Sequence, residues 1–151
     1  DGSIDRRRLA ARVFANPEDL AALNGMVHPV VRTQAASLRD AYLSDHPDGI
    51  VVTEAAILIE TGSYRDFDCL VVAVCPIEQQ IERAMKRDGL SREQVLARLS
   101  RQLPIAEKVK FADYLVDTSG SRESTDAQVH AVYTALKQRS DAAISLRKTG
   151  D

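Results

Sequence analysis

The stretch that decides the fold class is CLVVAVC, from Cys69 to Cys75. It is apolar throughout rather than alternately apolar and polar, which is typical of a strand buried on both faces in a parallel sheet. Shorter apolar runs at Ile50-Val51-Val52 and Tyr114-Leu115-Val116 give two further strand candidates. Segments with helical periodicity lie around and between them. Strands that alternate with helices predict an α/β fold with a parallel sheet.

The first third of the chain is predicted to be helical. Residues 4–13 suit a short helix that stops before Asn16, and Asn16 can cap a second helix that begins at Pro17. We expect His28-Pro29 to interrupt this second helix and a third helix to follow it. A turn rich in Ser, Asp, Pro and Gly then leads into the first strand candidate.

The remaining helices follow the strands. Pro76 opens a helix, and Ser91 with Gln94 has the spacing of a capping box at the start of the next. A last helix precedes a segment without periodicity. We therefore predict one domain over residues 1–140 and a flexible tail over residues 141–151.

Composition and charge exclude several classes of protein. The 151 residues are 44% hydrophobic with a formal net charge of −2, so we expect neither a nucleic-acid partner nor a membrane surface. Cys69 and Cys75, at opposite ends of one strand, would lie roughly 20 Å apart, which excludes a disulfide between them. Free thiols fit a reducing cytosol. The three histidines and two cysteines show no zinc spacing, so no metal site is predicted.

Two clusters in the first half could bind a ligand. His28 and Pro29 are either helix punctuation or an imidazole at a helix N-terminus that favours an anionic ligand. Glu54 and Glu60 follow a predicted buried strand, where ligands of α/β sheets bind. Their carboxylates could hold a substrate hydroxyl or, through water, Mg²⁺; equally, Glu54 could end the strand and Glu60 face solvent.

Two further clusters lie in the second half. One is a basic set on predicted helices, which either forms their solvated face or contacts phosphoryl oxygens with guanidinium forks. The other is the polar loop after Tyr114-Leu115-Val116, which is either a connection or a place where a nucleotide base meets the backbone. The basic set comprises Arg83, Arg87, Arg98, Arg101 and Lys108, with Gln102 among them.

These four clusters, in this order, resemble the dephospho-coenzyme A kinase family. The resemblance covers roughly residues 1–138. It rests on DGSIDRRRLAARVFANPEDLAALNGMVHPVVR, on VVTEAAILIETGSYRDFDCLVVAVCPIEQQIERAMKRDGLS, and on SREQVLARLSRQLPIAEKVKFADYLVDTSGS. Two departures are visible: Glu54-Ala55-Ala56 lacks the proline common in the family, and Ser119 stands where asparagine is common.

The resemblance implies transfer of the γ-phosphoryl group of ATP to the ribose 3′-hydroxyl of dephospho-coenzyme A, with Mg²⁺, in the cytoplasm and without an obligate protein partner. It implies a P-loop nucleotide-kinase-like three-layer fold with a parallel sheet and a helical lid. The substrate-binding residues would be His28, Pro29, Arg32, Glu54, Leu58 and Glu60. The ATP and lid residues would be Arg83, Arg87, Arg98, Gln102, Lys108, Ser119 and Gly120, with Arg83, Arg87 and Arg98 stabilising phosphates.

The sequence contains no GxxxxGK[ST] loop. Against the family pattern we therefore expect a partial fold, with the first strand, the P-loop and the segment that carries the base missing. Such a fragment would be inactive and would expose strand edges that favour association. The alternatives are another P-loop nucleotide kinase, a non-catalytic module that binds adenine nucleotide or coenzyme A, and an α/β interaction domain without a ligand.

Overall fold

A computed structural model describes residues 3–148, apart from a few side chains near either end. The chain divides into two compact units, Asp1–Val51 and Val52–Asp151, where we predicted one domain over residues 1–140. The first unit contains helices α1 (Arg6–Ala15) and α2 (Pro17–Asp45). The second contains β1 (Val71–Val74), α3 (Ile77–Asp88), α4 (Arg92–Leu99), α5 (Ile105–Lys108), β2 (Tyr114–Asp117) and α6 (Arg122–Lys148), with short 3₁₀ turns at Ser63–Asp66 and Val109–Phe111.

The junction between α1 and α2 forms as predicted. The side chain of Asn16 caps α2 by accepting a hydrogen bond of 2.9 Å from the backbone N–H of Glu18, and Pro17 opens the helix. The two helices pack together, and Val13 is buried at 5% exposure. The cap satisfies a donor that the first turn would otherwise leave unpaired, which fixes where α2 begins.

The prediction that His28-Pro29 interrupts the helix is wrong. α2 runs through both residues as one helix of 29 residues, with Pro29 in its interior. Proline has no N–H, so the carbonyl of Gly25, four residues earlier, loses its helical donor. The ring of a proline also crowds the carbonyl of that turn. The many remaining bonds of a long helix offset this local loss.

Much of the apolar surface of α2 is exposed. Met26, Val30 and Leu38 are each about two thirds exposed, at 66%, 65% and 67%. At a rise of 1.5 Å per residue, α1 is about 15 Å long and α2 about 43 Å. α1 can therefore cover only about a third of its neighbour, and much of the apolar surface of α2 does not belong to a core.

The end of α2 is closed by a ring stack. Tyr42 and His46 lie with ring centroids 4.5 Å apart and planes 11° from parallel. The backbone N–H of Gly49 donates to the carbonyl of His46 at 2.8 Å, which forms the turn predicted here. A Cβ atom at Gly49 would lie 2.6 Å from Cε1 of Tyr42 and 2.9 Å from the carbonyl oxygen of His46. Only glycine fits without displacing this turn.

The sheet of the second unit consists of β1 and β2, and the predicted parallel pairing is confirmed. Val71 lies opposite Tyr114 and Val74 opposite Asp117. Ahead of β1, the backbone N–H of Leu70 donates to Oδ2 of Asp113 at 2.7 Å, while the N–H of Asp113 donates to the carbonyl of Leu70 at 2.9 Å. This reciprocal pair fixes the register at the start of both strands.

The strand predicted at Ile50-Val51-Val52 is wrong. These residues form no strand, and Val52 is 82% exposed. A strand requires a neighbour for its backbone N–H and C=O groups, and no described segment pairs with this run. The run instead lies at the boundary between the two units.

The helices after β1 match the prediction closely. α3 follows Pro76 and buries Ile81 at 1% exposure, and the capping box of Ser91 and Gln94 is present at the start of α4. α6 is helical to Lys148, so most of the predicted tail is helix; residues 149–151 lie outside the described residues. Within the part that the structure describes, no helix is long and apolar enough to cross a bilayer.

Candidate functional site

The first group of predicted residues lies midway along α2. His28, Pro29 and Arg32 line an open groove of about 530 Å³ together with Asn24, Gly25 and Thr33. His28 and Arg32 are four residues apart and so share one helix face. Because the helix is continuous, His28 is not at a helix N-terminus, and the predicted attraction of an anion by free backbone N–H groups is wrong. Binding here would depend on the side chains alone.

The second group of predicted residues centres on Lys108. Its ion pair with Glu60 is the most buried of the ion pairs described. The Nζ atom of Lys108 lies 2.9 Å from Oε1 of Glu60, 2.9 Å from the carbonyl oxygen of Ala56 and 3.0 Å from Oε1 of Gln102. An ammonium group has three N–H donors, and each has an acceptor here. We call these four residues the Lys108 cluster; it joins the predicted substrate segment to the predicted lid.

The charge of Glu60 is stabilised within this cluster. Burial raises the pKa of its carboxyl group, but hydrogen bonds from Lys108 and from the backbone N–H of Leu103 outweigh burial, so the pKa lies below its ordinary value. The side chains of Lys108 and Glu60 are 12% and 17% exposed. Oε2 of Glu60 is buried without a hydrogen-bond partner among the described residues. Glu60 thus stays ionised at neutral pH with one oxygen unused.

A groove of about 530 Å³ opens beside the Lys108 cluster. Glu60 contributes to its wall, and its apolar side includes Tyr64 and Phe111, whose rings meet edge to face with centroids 5.3 Å apart. The guanidinium carbon of Arg65 lies 5.0 Å from the centroid of Tyr64. Sequence analysis did not single out Tyr64, Arg65 or Phe111, because isolated aromatic residues carry no spacing signal.

Two of the predicted phosphate-stabilising arginines meet at one carboxylate. Nε of Arg87 lies 2.8 Å from Oδ1 of Asp88, and Nη1 of Arg98 lies 3.1 Å from Oδ2 of the same residue. The hydrogen bond from Arg87, followed by the charges of both arginines, lowers the pKa of Asp88. Asp88 therefore holds the guanidinium groups of α3 and α4 close together. Sequence analysis missed Asp88, although its place directly after Arg87 at the helix end was the available signal.

Arg83 lies apart from this pair and contacts the loop after β2. Its Nη1 donates to Oγ1 of Thr118 at 3.1 Å, and its Nη2 donates to the carbonyl of Thr118 at 2.8 Å. Ser119 and Gly120 follow directly in the same loop, and the backbone N–H of Ser119 donates to Oδ1 of Asp117 at 2.8 Å. The structure thus brings Arg83 together with the predicted base-binding residues.

Glu54 and Leu58 precede the Lys108 cluster in the chain. Glu54 is exposed and contributes, after the hydrogen bond and charge of Asp88, to raising the pKa of Arg87. Leu58 is half-buried, and its carbonyl accepts a hydrogen bond of 3.1 Å from the backbone N–H of Tyr64. Among the side chains that the structure describes, no group of three or more His, Cys, Asp or Glu is placed to hold a metal ion.

Comparisons with known proteins show the family to which the chain belongs. The family model described as "Dephospho-CoA kinase" matches residues 1–124, which include every residue of the candidate site. Dephospho-CoA kinase of Syntrophus aciditrophicus is 37% identical over 152 residues, covering 97% of this chain and 65% of that protein. Dephospho-CoA kinase of Aquifex aeolicus is 41% identical over 136 residues, covering 90% and 67%. The chain thus spans about two thirds of the length of these curated relatives.

A solved structure shares the fold. The dephospho-CoA kinase of Campylobacter jejuni superimposes with a TM-score of 0.61 at 29% identity, over 91% of this chain and 68% of that one. The fold is that of an α/β protein with a parallel sheet, and the candidate site includes arginines on helices α3 and α4. The chain belongs to the dephospho-CoA kinase family.

Proposed function

We propose that this chain serves the transfer of the γ-phosphoryl group of ATP to the ribose 3′-hydroxyl of dephospho-coenzyme A, giving coenzyme A and ADP. The observation that carries the proposal is the family match over residues 1–124, which contains all the predicted substrate and ATP residues. The contact between Glu60 of the substrate segment and Lys108 of the lid supports it, because the two sets of residues meet in one cluster.

Arg87 and Arg98 are the residues that would act on the phosphoryl group. Both guanidinium groups are exposed and bond the same carboxylate, Asp88, so their remaining donors are accessible to a ligand. In phosphoryl transfer, charge spreads over the phosphoryl oxygens, and catalysis consists mainly of positioning and charge stabilisation. Two forked cations held by one carboxylate provide both.

His28 and Arg32 would bind the acceptor. They line the groove on α2 and offer an imidazole and a guanidinium on one helix face. The diphosphate of dephospho-coenzyme A is an anion that such donors recognise. Glu54, exposed and near enough to influence Arg87, would orient the acceptor hydroxyl.

Glu60, Gln102 and Lys108 would hold the site in shape rather than touch the ligand, since their polar atoms are largely used on each other. Mg²⁺ would enter as the partner of ATP. The described residues form no protein cage for it, so we assign it no protein ligand and no step. The cytoplasm, where both substrates would be available, is the compartment we propose.

An assay by mass tests the proposal. The chain is incubated with ATP, Mg²⁺ and dephospho-coenzyme A, both alone and in a chimera where it replaces the matching part of the Aquifex aeolicus relative. We expect the chimera to produce coenzyme A. Arg87→Met and Arg98→Met should each lower turnover by roughly 10- to 1,000-fold, in line with the loss of one positioned cation.

Arg92→Met is the matched control, because Arg92 lies in the first turn of α4, forms an exposed ion pair with Glu78 at 2.8 Å and is not one of the proposed site residues. It should keep its activity. A folded chimera that binds ATP and dephospho-coenzyme A without turnover would support the binding module instead. Phosphorylation of nucleoside monophosphates in preference to dephospho-coenzyme A would assign the chain to another nucleotide kinase.

A further inference from the structure

The guanidinium group of Arg83 forms hydrogen bonds with Thr118, in the loop that follows β2. Its two terminal nitrogens bond the hydroxyl and the carbonyl of Thr118, at 3.1 and 2.8 Å. One turn earlier on α3, Nε2 of Gln79 donates to the carbonyl of Ser119 at 3.2 Å. Residues four apart share a helix face, so Gln79 and Arg83 are neighbours on α3. Their side chains hydrogen-bond two consecutive residues of the loop.

The start of the loop is also fixed by the sheet and by α6. The N–H and the hydroxyl of Thr118 both donate to the carbonyl of Val74, at 2.8 and 3.1 Å. Nε2 of Gln128 donates to the carbonyl of Asp117 at 2.9 Å. These contacts define where the loop leaves β2. From Thr118 onward, side chains of α3 bond the carbonyls of Thr118 and Ser119, while Asp117 accepts from the N–H of Ser119.

Arg83 differs in this respect from Arg87 and Arg98. Those two share a side-chain carboxylate, Asp88, and keep further donors for a ligand. Arg83 instead bonds a main-chain carbonyl and a hydroxyl 35 residues away in sequence. A guanidinium group that bonds a backbone segment stabilises one conformation of that segment. A guanidinium group paired with a carboxylate can instead bind a phosphoryl group in place of the carboxylate.

We propose that Arg83 is a positioning residue for the nucleotide base. It sets the loop of Thr118 to Gly120 in the conformation that accepts the base, and it leaves the phosphates to Arg87 and Arg98. This inference rests on the proposed function, and it replaces the direct phosphate contact that the sequence suggested for Arg83.

Comparing ATP with adenosine distinguishes a residue that positions the base loop from one that contacts phosphate, because the two ligands share the base and ribose and differ in the phosphates. Both dissociation constants are measured by NMR titration, on the 151-residue chain and on the chimera. A residue that shapes the base site affects both ligands equally. We expect Arg83→Met to raise the dissociation constants of ATP and adenosine by the same factor of about two to ten, which corresponds to the loss of one net hydrogen bond.

Matched variants complete the comparison. Arg87→Met should weaken the binding of ATP and leave the binding of adenosine unchanged, and Arg92→Met should change the affinity for neither ligand. Arg83→Lys should recover part of the loss, since an ammonium group can still donate to the carbonyl of Thr118. Gln79→Ala should reproduce a smaller equal loss, and it keeps the test available if Arg83→Met does not fold.

The possible failures can be told apart. If the unsubstituted proteins bind neither ligand, the proposed function fails and the inference falls with it. If they bind both, and Arg83→Met weakens ATP while leaving adenosine unchanged, Arg83 contacts phosphate and only the inference is overturned. If Arg83→Met changes neither affinity, the loop does not depend on Arg83 and the inference is again wrong.

Discussion

Replacing Lys108 by methionine should destabilise the second unit strongly. The change keeps a flexible side chain of similar length but removes an ammonium group that is 12% exposed and bonds three acceptors. Glu60 would then be a largely buried carboxylate whose remaining described donor is the N–H of Leu103. Removing one partner of a buried ion pair typically costs about 3–5 kcal/mol. Because both side chains keep some exposure, we expect about 3 kcal/mol.

Urea unfolding followed by circular dichroism at pH 7 measures this change, and amide exchange at Leu103 reports it locally. Lys110→Met is the control, since Lys110 pairs with Glu107 on the surface at 65% and 49% exposure and should cost less than about 1 kcal/mol. Glu60→Gln combined with Lys108→Met should cost less than the sum of the single changes, because the pair is lost only once. A cost for Lys108→Met no larger than that of the control would refute this account of the cluster.

The pH dependence gives the same cluster a second test. The folded pKa of Glu60 lies below that of an unfolded glutamate, so its contribution to stability is present above the unfolded pKa and is lost as the pH falls through the lowered folded value. The stability difference between the natural chain and Glu60→Gln should therefore be constant near neutrality and shrink once the pH falls below the ordinary pKa of glutamate. A difference that persists unchanged at pH 3 would mean that the charge of Glu60 contributes nothing.

Three further predictions concern the frame around the site. Gly49→Ala should cost about 1–3 kcal/mol in thermal or urea unfolding because its Cβ would clash with the turn, whereas Gly25→Ala, where space is open, should stabilise α2 by up to about 1 kcal/mol. Asp113→Ala should cost about 1–3 kcal/mol by leaving the N–H of Leu70 without its acceptor, and faster amide exchange at Leu70 would show this. Burial, followed by the charge of Asp113, raises the pKa of Cys69 above that of an ordinary thiol, so iodoacetamide should modify it more slowly at pH 8 than it modifies a free thiol, and the rate should increase as the pH is raised.

The sequence predicted those elements whose signal is local. Asn16 before Pro17 and Ser91 before Gln94 mark helix starts through contacts within one turn, and both caps are present. The parallel pairing agrees with the unbroken apolar character of Cys69–Val74. The predicted burial of this strand on both faces is wrong, since Val72 is buried but Val71 is 43% exposed. In each case, the residues that determine the structure are neighbours in the sequence.

The errors arose where the outcome depends on distant partners. Ile50-Val51-Val52 has the composition of a strand, but composition does not supply the neighbour that a strand needs. Proline at position 29 has a strong local tendency to end a helix, and the long helix around it prevailed. Local preference is a weak guide whenever tertiary context opposes it.

The candidate site divides in the same way. Sequence patterns selected Glu60, Gln102 and Lys108 separately, and the structure shows that they form one cluster across more than 40 residues of chain. Asp88, which gathers Arg87 and Arg98, was missed because an acid at the end of a basic helix resembles any surface charge. Motifs indicate which residues matter, and only the fold shows which of them share a partner.

The span of the Lys108 cluster also has a consequence for the order of folding. Lys108 reaches the carbonyl of Ala56, 52 positions earlier, so forming the contact closes a long loop of chain. The entropy of closure must be lost before the contact returns any free energy, which favours its formation after the local helices α3 and α4. Contacts that form after the transition state retard unfolding without accelerating folding. In stopped-flow kinetics, the Lys108→Met chain should therefore unfold faster and refold at nearly its natural rate, so that the cluster governs the lifetime of the folded second unit.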